Sequence, residues 1–549
     1  MMARTPSYLW LAGRLIANQP LLYAVNALCW ILYHTWPILT GLLAKLFFDL
    51  LAGRAPAGLN LATLVALVVA AGLGKAGVIF TAERTGAPYR FRQRALLQRN
   101  LLAEILRRPG ARALPGSPGE ALATLRDDVA GTSEISDWLF DALAALLFAG
   151  GALAVLFTVN ARVTLLVFAP VVVVIALAHG VRIRLVQARA ESRAAAARVT
   201  ERIGELFGAV QAIQVAGAEG RVVAHLARLG AAREQTALRD RLQSLWLDGL
   251  FESTASLGAG LVLLVAAGQM RAGSFTVGDF ALFATYLMTV VEFTAFVGYL
   301  INTYRQAGVA IRRTMALMQG APPERLVARS APATAAAVRE RLERLEVTGL
   351  TCIHPESGRG IRDLSFTLER GSLTVVTGRV GAGKTTLLRA LLGLLERQAG
   401  QIRWNGRLVD DPASFLAPPR VAYTPQVPTL LPGTLRENIL LGGPGDLAEA
   451  VRLAVLERDL AGFPQGLETV VGARGMRLSG GQIQRVAAAR MFVREPELLV
   501  FDDLSSALDI ETEAALWERL FARGATCLAV SHRPEVLRRA DQIIRLDPR

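Results

Sequence analysis

"GSLTVVTGRVGAGKTTLLRALLGLL", residues 371–395, reads as strand, glycine loop and helix in immediate succession. Gly378, Arg379, Val380, Gly381, Ala382, Gly383, Lys384 and Thr385 fit G-x-x-x-x-G-K-[ST], and Thr386 follows. Glycines let backbone N–H groups converge on phosphate oxygens, and the N-terminus of the following helix adds a positive dipole. Lys384 is then expected at the β/γ-phosphates of a nucleotide, and the Thr385 hydroxyl on Mg²⁺. Lysine is rare in this chain: Lys45, Lys75 and Lys384 are the only three, and the other 57 basic residues are arginine.

Downstream, "RLSGGQIQRVAAARMFVREPELLVFDD" (477–503) holds two further features. Ser479, Gly480, Gly481 and Gln482 precede an alanine-rich helix, so a hydroxyl and bare backbone sit at a second helix N-terminus, a second anion cradle. The first cradle already takes the phosphates, so this one is expected to serve a nucleotide bound by a second copy of the domain. The apolar run Leu498–Phe501 then leads into Asp502 and Asp503. It reads as a buried parallel strand with both acids at its C-terminal tip, where α/β sheets place their ligands.

A chain of 549 residues exceeds one core. Its hydrophobic content of 52% and mean hydropathy of +0.37 are unevenly spread. Apolar runs near 21–44, 60–81, 138–159, 162–181, 249–268 and 279–301 are each long enough to cross roughly 30 Å of hydrocarbon as a helix. The links alternate: 45–59, 160–161 and 269–278 are short, whereas 82–137 and 182–248 are long and carry nine and eleven arginines. The positive-inside rule places the long links and both termini in the cytoplasm. Their alanine, leucine and arginine content favours helices running on from the membrane, broken by turns near 107–120 and 207–210.

The net charge of +14 is distributed over these links rather than forming one stripe, which argues against nucleic acid. Three cysteines without paired spacing argue against a disulfide framework or a zinc site. No cleavable signal is evident at the N-terminus, so the first span is expected to stay as an anchor. Lys75 and Glu292 fall inside expected spans and are costly there alone, so they are expected to pair across the bundle, the alternative being that Lys75 lines a polar pathway. Asp141 and Glu252 lie nearer span ends, and Lys45 is close enough to an end to snorkel.

"GRVGAGKTT", "LSGGQ", "LLVFDD", "SALD" and "SH", in this order after six spans, resemble the ATP-binding cassette (ABC) transporters, in the arrangement of an exporter half-transporter. The resemblance implies a multidomain chain: an all-α polytopic membrane domain over 1–320, a linker over 321–344, and an α/β P-loop nucleotide-binding domain over 345–549. It further implies two such chains sandwiching two ATP, alternating access in the membrane part, and a cell (inner) membrane location. By that resemblance Gln426 is the loop glutamine touching Mg²⁺, Asp502 holds Mg²⁺ through water, and His532 contacts the γ-phosphate. Ser506 to Asp509 cross the dimer interface.

Three positions depart from the pattern. His354 stands where an aromatic ring stacks on adenine, Ala473 where exporters commonly carry a glutamate, and Asp503 in place of the usual catalytic glutamate. The last suggests a slow site paired with a better one, hence a heterodimer, with a homodimer as the alternative. The leading expectation is an ATP-driven exporter or flippase. The competing one is a non-pumping subunit that ATP gates. No protease or substrate-binding domain is evident, which argues against a processing peptide exporter and a binding-protein-dependent importer. The substrate is not legible.

Overall fold

The computed structural model describes residues 6–54, 60–108, 114–271, 273–329, 340–354, 357–472, 478–504 and 508–546, with side chains for all of these except 167–186, 247–248, 250–259, 261–262, 265, 288 and 291–295. Two compact units result, one of residues 1–101 with 118–329 and one of residues 102–117 with 330–549.

The first unit is helical. All six apolar runs lie in helices: Pro20–Leu51, Leu61–Arg107, Ile135–Gly208 (two runs), Glu219–Arg271 and Val277–Leu317. Among the described residues, three stretches are long and apolar enough to cross a membrane, Pro20–Leu51, Leu61–Arg107 and Pro118–Leu166. Val68, Leu73, Phe80 and Leu146 are exposed, an outward apolar surface that water would penalise and lipid would not.

The expected link at 160–161 is a break inside Ile135–Gly208, where Asn160 is extended. The Thr164 hydroxyl donates to the Leu156 carbonyl at 3.0 Å. Eight residues of straight helix would separate those groups by about 12 Å, so the chain doubles back there. Asn160 fixes the turn by accepting from the Val163 N–H and donating to Gln269. The expected break near 207–210 falls between Gly208 and the short helix Val210–Val215.

Lys45 does not snorkel. Its ammonium turns inward to Asp279, and to Asp49 at 3.3 Å, joining the end of Pro20–Leu51 to the start of Val277–Leu317. Snorkelling is favoured only where no buried counter-charge is within reach, and here there are two. Lys75 lies 5.1 Å above the Tyr33 ring. Its expected partner Glu292 lies outside the described side chains, as does Glu252. Asp141 faces His34 Nε2 at 3.7 Å.

The described residues of the second unit form eleven strands in order: β1 (Arg344–Ile353), β2 (Gly360–Glu369), β3 (Leu373–Gly378), β4 (Ala399–Trp404), β5 (Arg407–Leu408), β6 (Val421–Thr424), β7 (Gly433–Thr434), β8 (Val470–Val471), β9 (Leu498–Asp502), β10 (Thr526–Val530) and β11 (Gln542–Leu546). An antiparallel sheet runs β2-β1-β4-β5, and a parallel sheet runs β11-β3-β10-β9-β6.

The parallel sheet is covered on both faces, which explains its unbroken apolar runs. Leu498 and Val500 pack with Val376 and with Leu387, Leu388 and Leu391 of helix Lys384–Leu391. Leu499 and Phe501 face the other way, against Ala488 and Phe492 of helix Gly480–Phe492 and Trp517 of helix Ile510–Ala522. The two-residue period of the strand thus builds two cores and holds its tip between them.

Candidate functional site

The ends of four neighbouring strands converge on one cleft. The P-loop follows β3, His532 follows β10, Asp502 ends β9, and Gln426 follows β6. This is the carboxyl edge of a parallel sheet, where helix N-termini and loops leave room for ligands.

The loop between β3 and helix Lys384–Leu391 takes its shape from glycine. Gly378 has φ 149°, and a Cβ there would lie 2.1 Å from the Leu546 carbonyl oxygen of the neighbouring strand β11. Gly383, the N-cap, has φ 93°. Only residues without a side chain adopt these conformations freely. Lys384 folds back over the loop, its ammonium donating to the Gly378 and Arg379 carbonyls at 2.8 and 2.9 Å. Val380, at the tip, is 97% exposed.

Thr385 begins the helix and donates from its hydroxyl to Asp502 Oδ1 at 3.1 Å. Tyr423 donates to Asp502 Oδ2 at 3.4 Å. Burial pushes the Asp502 carboxyl above the ordinary aspartate range, Thr385, Arg389 and Tyr423 pull it back, and the Asp503 charge pushes it further up. Burial likewise raises the Tyr423 phenol, with the Asp502 charge adding to it. Tyr423 and Arg389 escaped the sequence reading. Nothing in their spacing marks them, because they reach Asp502 only through the packing of β6 and the P-loop helix on β9.

The cleft, of about 450 Å³, is lined by His354, Val380, Gly381, Gly383, Lys384, Thr385, Thr386, Gln426, Asp502, Asp503 and His532. These are eleven of the expected site residues. Ser357, Arg359, Gly360 and Val530 complete the lining. Gly378 and Arg379 contribute through the carbonyls that hold Lys384, and Ala382 is buried beneath the loop. Asp503 is half-buried with φ 55°, a left-handed backbone that aspartate tolerates better than longer side chains. Gln426, His532 and His354 are exposed in the cleft.

Ser479, Gly480, Gly481 and Gln482 do not line this cleft. They form the start of helix Gly480–Phe492, closed by a capping box. The Ser479 hydroxyl accepts from the Gln482 N–H at 3.3 Å, and Gln482 Oε1 accepts from the Ser479 N–H at 2.9 Å. Farther along, Arg490 donates to the Asn438 carbonyl at 2.8 Å and to the Thr429 carbonyl at 3.0 Å, tying the helix to the segment after Gln426. Ala473, Ser506 and Ala507 lie outside the described residues. Cys527 is fully buried, and burial pushes its thiol up to about 12, so it is inert at neutral pH.

The residue set fits both ligands of the expected site. Gly381 opens onto free space and Gly383 caps the helix in a left-handed conformation, so bare backbone faces the cleft at a helix N-terminus, the setting that suits a phosphate. Thr385, Gln426, Asp502 and Asp503 supply hard oxygen donors of the kind Mg²⁺ takes.

Membrane-type helices in one unit and a P-loop α/β cassette in the other define a polytopic membrane protein with a nucleotide-binding domain. Residues 22–293 match the family model of the ABC transporter transmembrane region, and residues 361–506 match the ABC transporter family model. Together these take in most of the chain, which belongs to the ABC transporter family. It is 32% identical over 293 residues to ABC transporter aclQ of Aspergillus oryzae, covering 52% of this chain and 36% of that protein. It is 29% identical over 313 residues to the probable multidrug resistance ABC transporter ATP-binding/permease protein YheI of Bacillus subtilis, covering 55% and 52%. The chain thus spans about half, or less, of the length of these relatives. Its fold matches that of a bacterial Atm1-family ABC exporter solved with ATP bound, at TM-score 0.73 and 21% identity, over 97% of this chain and 93% of that one.

Proposed function

We propose that the chain is one half of an ATP-driven exporter or flippase, moving its substrate from the cytoplasm or the inner leaflet. The observation that carries this is the cleft: Lys384, Thr385, Gln426, Asp502, Asp503 and His532 meet at one sheet edge, while Ser479–Gln482 lie apart from it. A nucleotide site that lacks its second anion cradle within the chain favours a partner that supplies it. Membrane helices over 1–320, a linker over 321–344 and a cassette over 345–549 are the division of labour we assign. Arginine-rich long links favour both termini in the cytoplasm, in a cell (inner) membrane.

Within the cleft, Lys384 leaves its two carbonyl partners for the β/γ-phosphates, and the loop N–H groups take the remaining oxygens. Thr385, Gln426 and, through water, Asp502 would hold Mg²⁺, which when bound would neutralise phosphate charge. Thr385 and Asp502 already stand 3.1 Å apart. Asp503 accepts the proton of the attacking water, and His532 contacts the γ-phosphate. His354 lies against the base.

Asp503 makes this site slow. Its carboxylate sits about 1.5 Å further back than a glutamate's from the same backbone. A positioning error near 1 Å costs on the order of 100-fold, or about 2.7 kcal/mol of barrier. An intact LSGGQ beside a retracted base suits one half of a heterodimer whose partner carries the better base. The homodimer with two slow sites is the alternative.

The test is transport into inside-out vesicles. Lys384→Ala is expected to abolish it, and full transport by that variant would sink the reading. ATP-dependent gating without net transport would instead favour the non-pumping subunit. For the pairing, the chain is purified alone. A stable homodimer with brisk ATPase that Asp503→Glu fails to raise would overturn the heterodimer.

A further inference from the structure

The start of helix Gly480–Phe492 can serve a phosphate only if it is held open and fixed. What fixes it is an acid remote in sequence. Asp459, in the short helix Glu457–Gly462, accepts from Arg485 Nε and Nη2 at 2.7 and 2.8 Å, and from Gln482 Nε2 at 3.2 Å. The Asp459 and Arg485 side chains are only 13% and 12% exposed.

The geometry points to Asp459 as the positioning residue of the LSGGQ motif: it sets which way the Gln482 amide faces, and thereby the conformation presented to nucleotide. This rests on the reading that Ser479–Gln482 complete an ATP site. A carboxylate is acceptor-only, so the Gln482 NH2 must turn toward Asp459. The Gln482 carbonyl is then aimed at the Ser479 N–H, the bond observed at 2.9 Å. That bond and its reciprocal close the capping box, so the Ser479 N–H is spent internally while its hydroxyl, which accepts there, keeps its O–H. The Ser479 O–H and the N–H groups of Gly480 and Gly481 are left for an anion.

Asp459→Asn puts an amide where the carboxylate was. Because Asp459 Oδ1 takes both Gln482 Nε2 and Arg485 Nη2 while Oδ2 takes Arg485 Nε, the new NH2 meets Arg485 Nε in one orientation and the Gln482 NH2 in the other, donor against donor in both. In the second orientation Gln482 escapes by flipping, which turns its NH2 onto the Ser479 N–H and opens the box. Gln482→Glu breaks the same contact from the other side, carboxylate against carboxylate, while leaving the Asp459–Arg485 pair in place. The double variant restores a donor–acceptor pattern. The new amide at position 459 donates to the new carboxylate at position 482, which still accepts from the Ser479 N–H.

The experiment uses the full chain and three readouts: thermal stability, photolabelling by an azido-ATP analogue at the P-loop, and vanadate trapping of nucleotide, which needs the closed sandwich. Asp459→Ala, which leaves Gln482 no acceptor at this position, is expected to label close to wild type while trapping at least tenfold less. Gln482→Glu is expected to trap at least tenfold less, and the double variant several-fold more than Gln482→Glu alone. Any added repulsion between the carboxylate at position 482 and a phosphate is common to both, so their comparison isolates the amide pattern, and it holds even if Asp459→Ala alone does not fold. Wild-type trapping by Asp459→Ala, or a double variant no better than Gln482→Glu, overturns the proposal. Lys384→Ala separates the two readings: normal labelling and trapping by that variant would remove the ATP site itself, whatever Asp459 does.

Discussion

The Thr385 hydroxyl donates to the Asp502 carboxylate across 3.1 Å, joining the first turn of the P-loop helix to the tip of β9. The bond spans 117 residues of sequence, and it supports a carboxylate that is 1% exposed. Burial raises the Asp502 pKa despite this help. A carboxyl whose folded pKa exceeds its unfolded one binds its proton more tightly when folded, so it favours folding at low pH and opposes it once pH rises through the raised value. Asp502→Asn never carries the charge. In nucleotide-free protein it is expected to melt above wild type at neutral pH, with the gap closing as pH falls into the acid range. ATPase should be lost throughout. A gap independent of pH, or a less stable variant, would contradict the assignment of the shift to burial.

Asp503 offers a contrast one residue on. Its φ of 55° is a region that asparagine and aspartate visit readily and that costs other side chains about 1 kcal/mol. Asp503→Asn should therefore keep the wild-type melting temperature while losing about 100-fold or more of the ATPase, the usual effect of removing a general base. Asp503→Glu should melt roughly 2–4 °C lower, as expected for a loss near 1 kcal/mol in a unit of this size. Melting curves on the two variants decide whether the left-handed backbone helps explain an aspartate at this position.

How far the sequence could be read follows from the same residues. The P-loop was legible because its chemistry is local: Gly378 to Thr386 are consecutive, and their spacing alone implies the cradle. Asp502 and Asp503 were legible from the apolar run before them. Tyr423, Arg389 and Asp459 were not, since each acts through a contact that only tertiary packing makes. Lys45 was misread for a related reason. Its partner Asp279 is 234 residues away, and a lysine near a span end looks free until that partner is in place. The membrane runs were legible from composition, but not the reversal at Asn160, where an extended residue is enough to end one run and begin the next.

The Lys45 cluster carries a prediction of its own. Asp279 accepts from the Thr276 N–H at 2.9 Å and Asp49 from the Gly278 N–H at 3.2 Å, so two carboxylates meet one ammonium and one helix N-terminus. The helix dipole offsets the second negative charge. Lys45→Met leaves the acids facing each other and should cost about 3 kcal/mol, the usual result of breaking a buried pair from one side. Lys45→Met with Asp279→Asn should recover much of that. Thermal unfolding in detergent provides the comparison, and strict additivity of the two substitutions would rule out the coupling.

The last prediction concerns the end of the helical unit. Arg329 donates to the Ala17 and Asn18 carbonyls and, from Nε, to Asn18 Oδ1 at 3.1 Å. These groups end helix Tyr8–Asn18, whose last carbonyls have no partner within the helix and whose dipole favours a cation there. Gln93 caps the Leu15 carbonyl of the same turn at 2.8 Å. From the other side, Asn100 donates to the Leu326 and Ala328 carbonyls, both at 2.8 Å, and Arg99 to the Ala328 and Arg329 carbonyls. Residues 326–329 are thereby pinned to two helices. Arg329 is exposed, so water can replace it, and Arg329→Ala should cost only about 1 kcal/mol. Asn100 is 6% exposed, so Asn100→Ala takes the side-chain donor from the Leu326 carbonyl where water enters poorly, while Ala328 keeps Arg99, and should cost about 1–3 kcal/mol. Hydrogen exchange can tell the two apart. Arg329→Ala should speed exchange in residues 8–18 alone, whereas Asn100→Ala should speed it in residues 323–329. Equal effects of both variants on both segments would mean that the two contacts open as one unit.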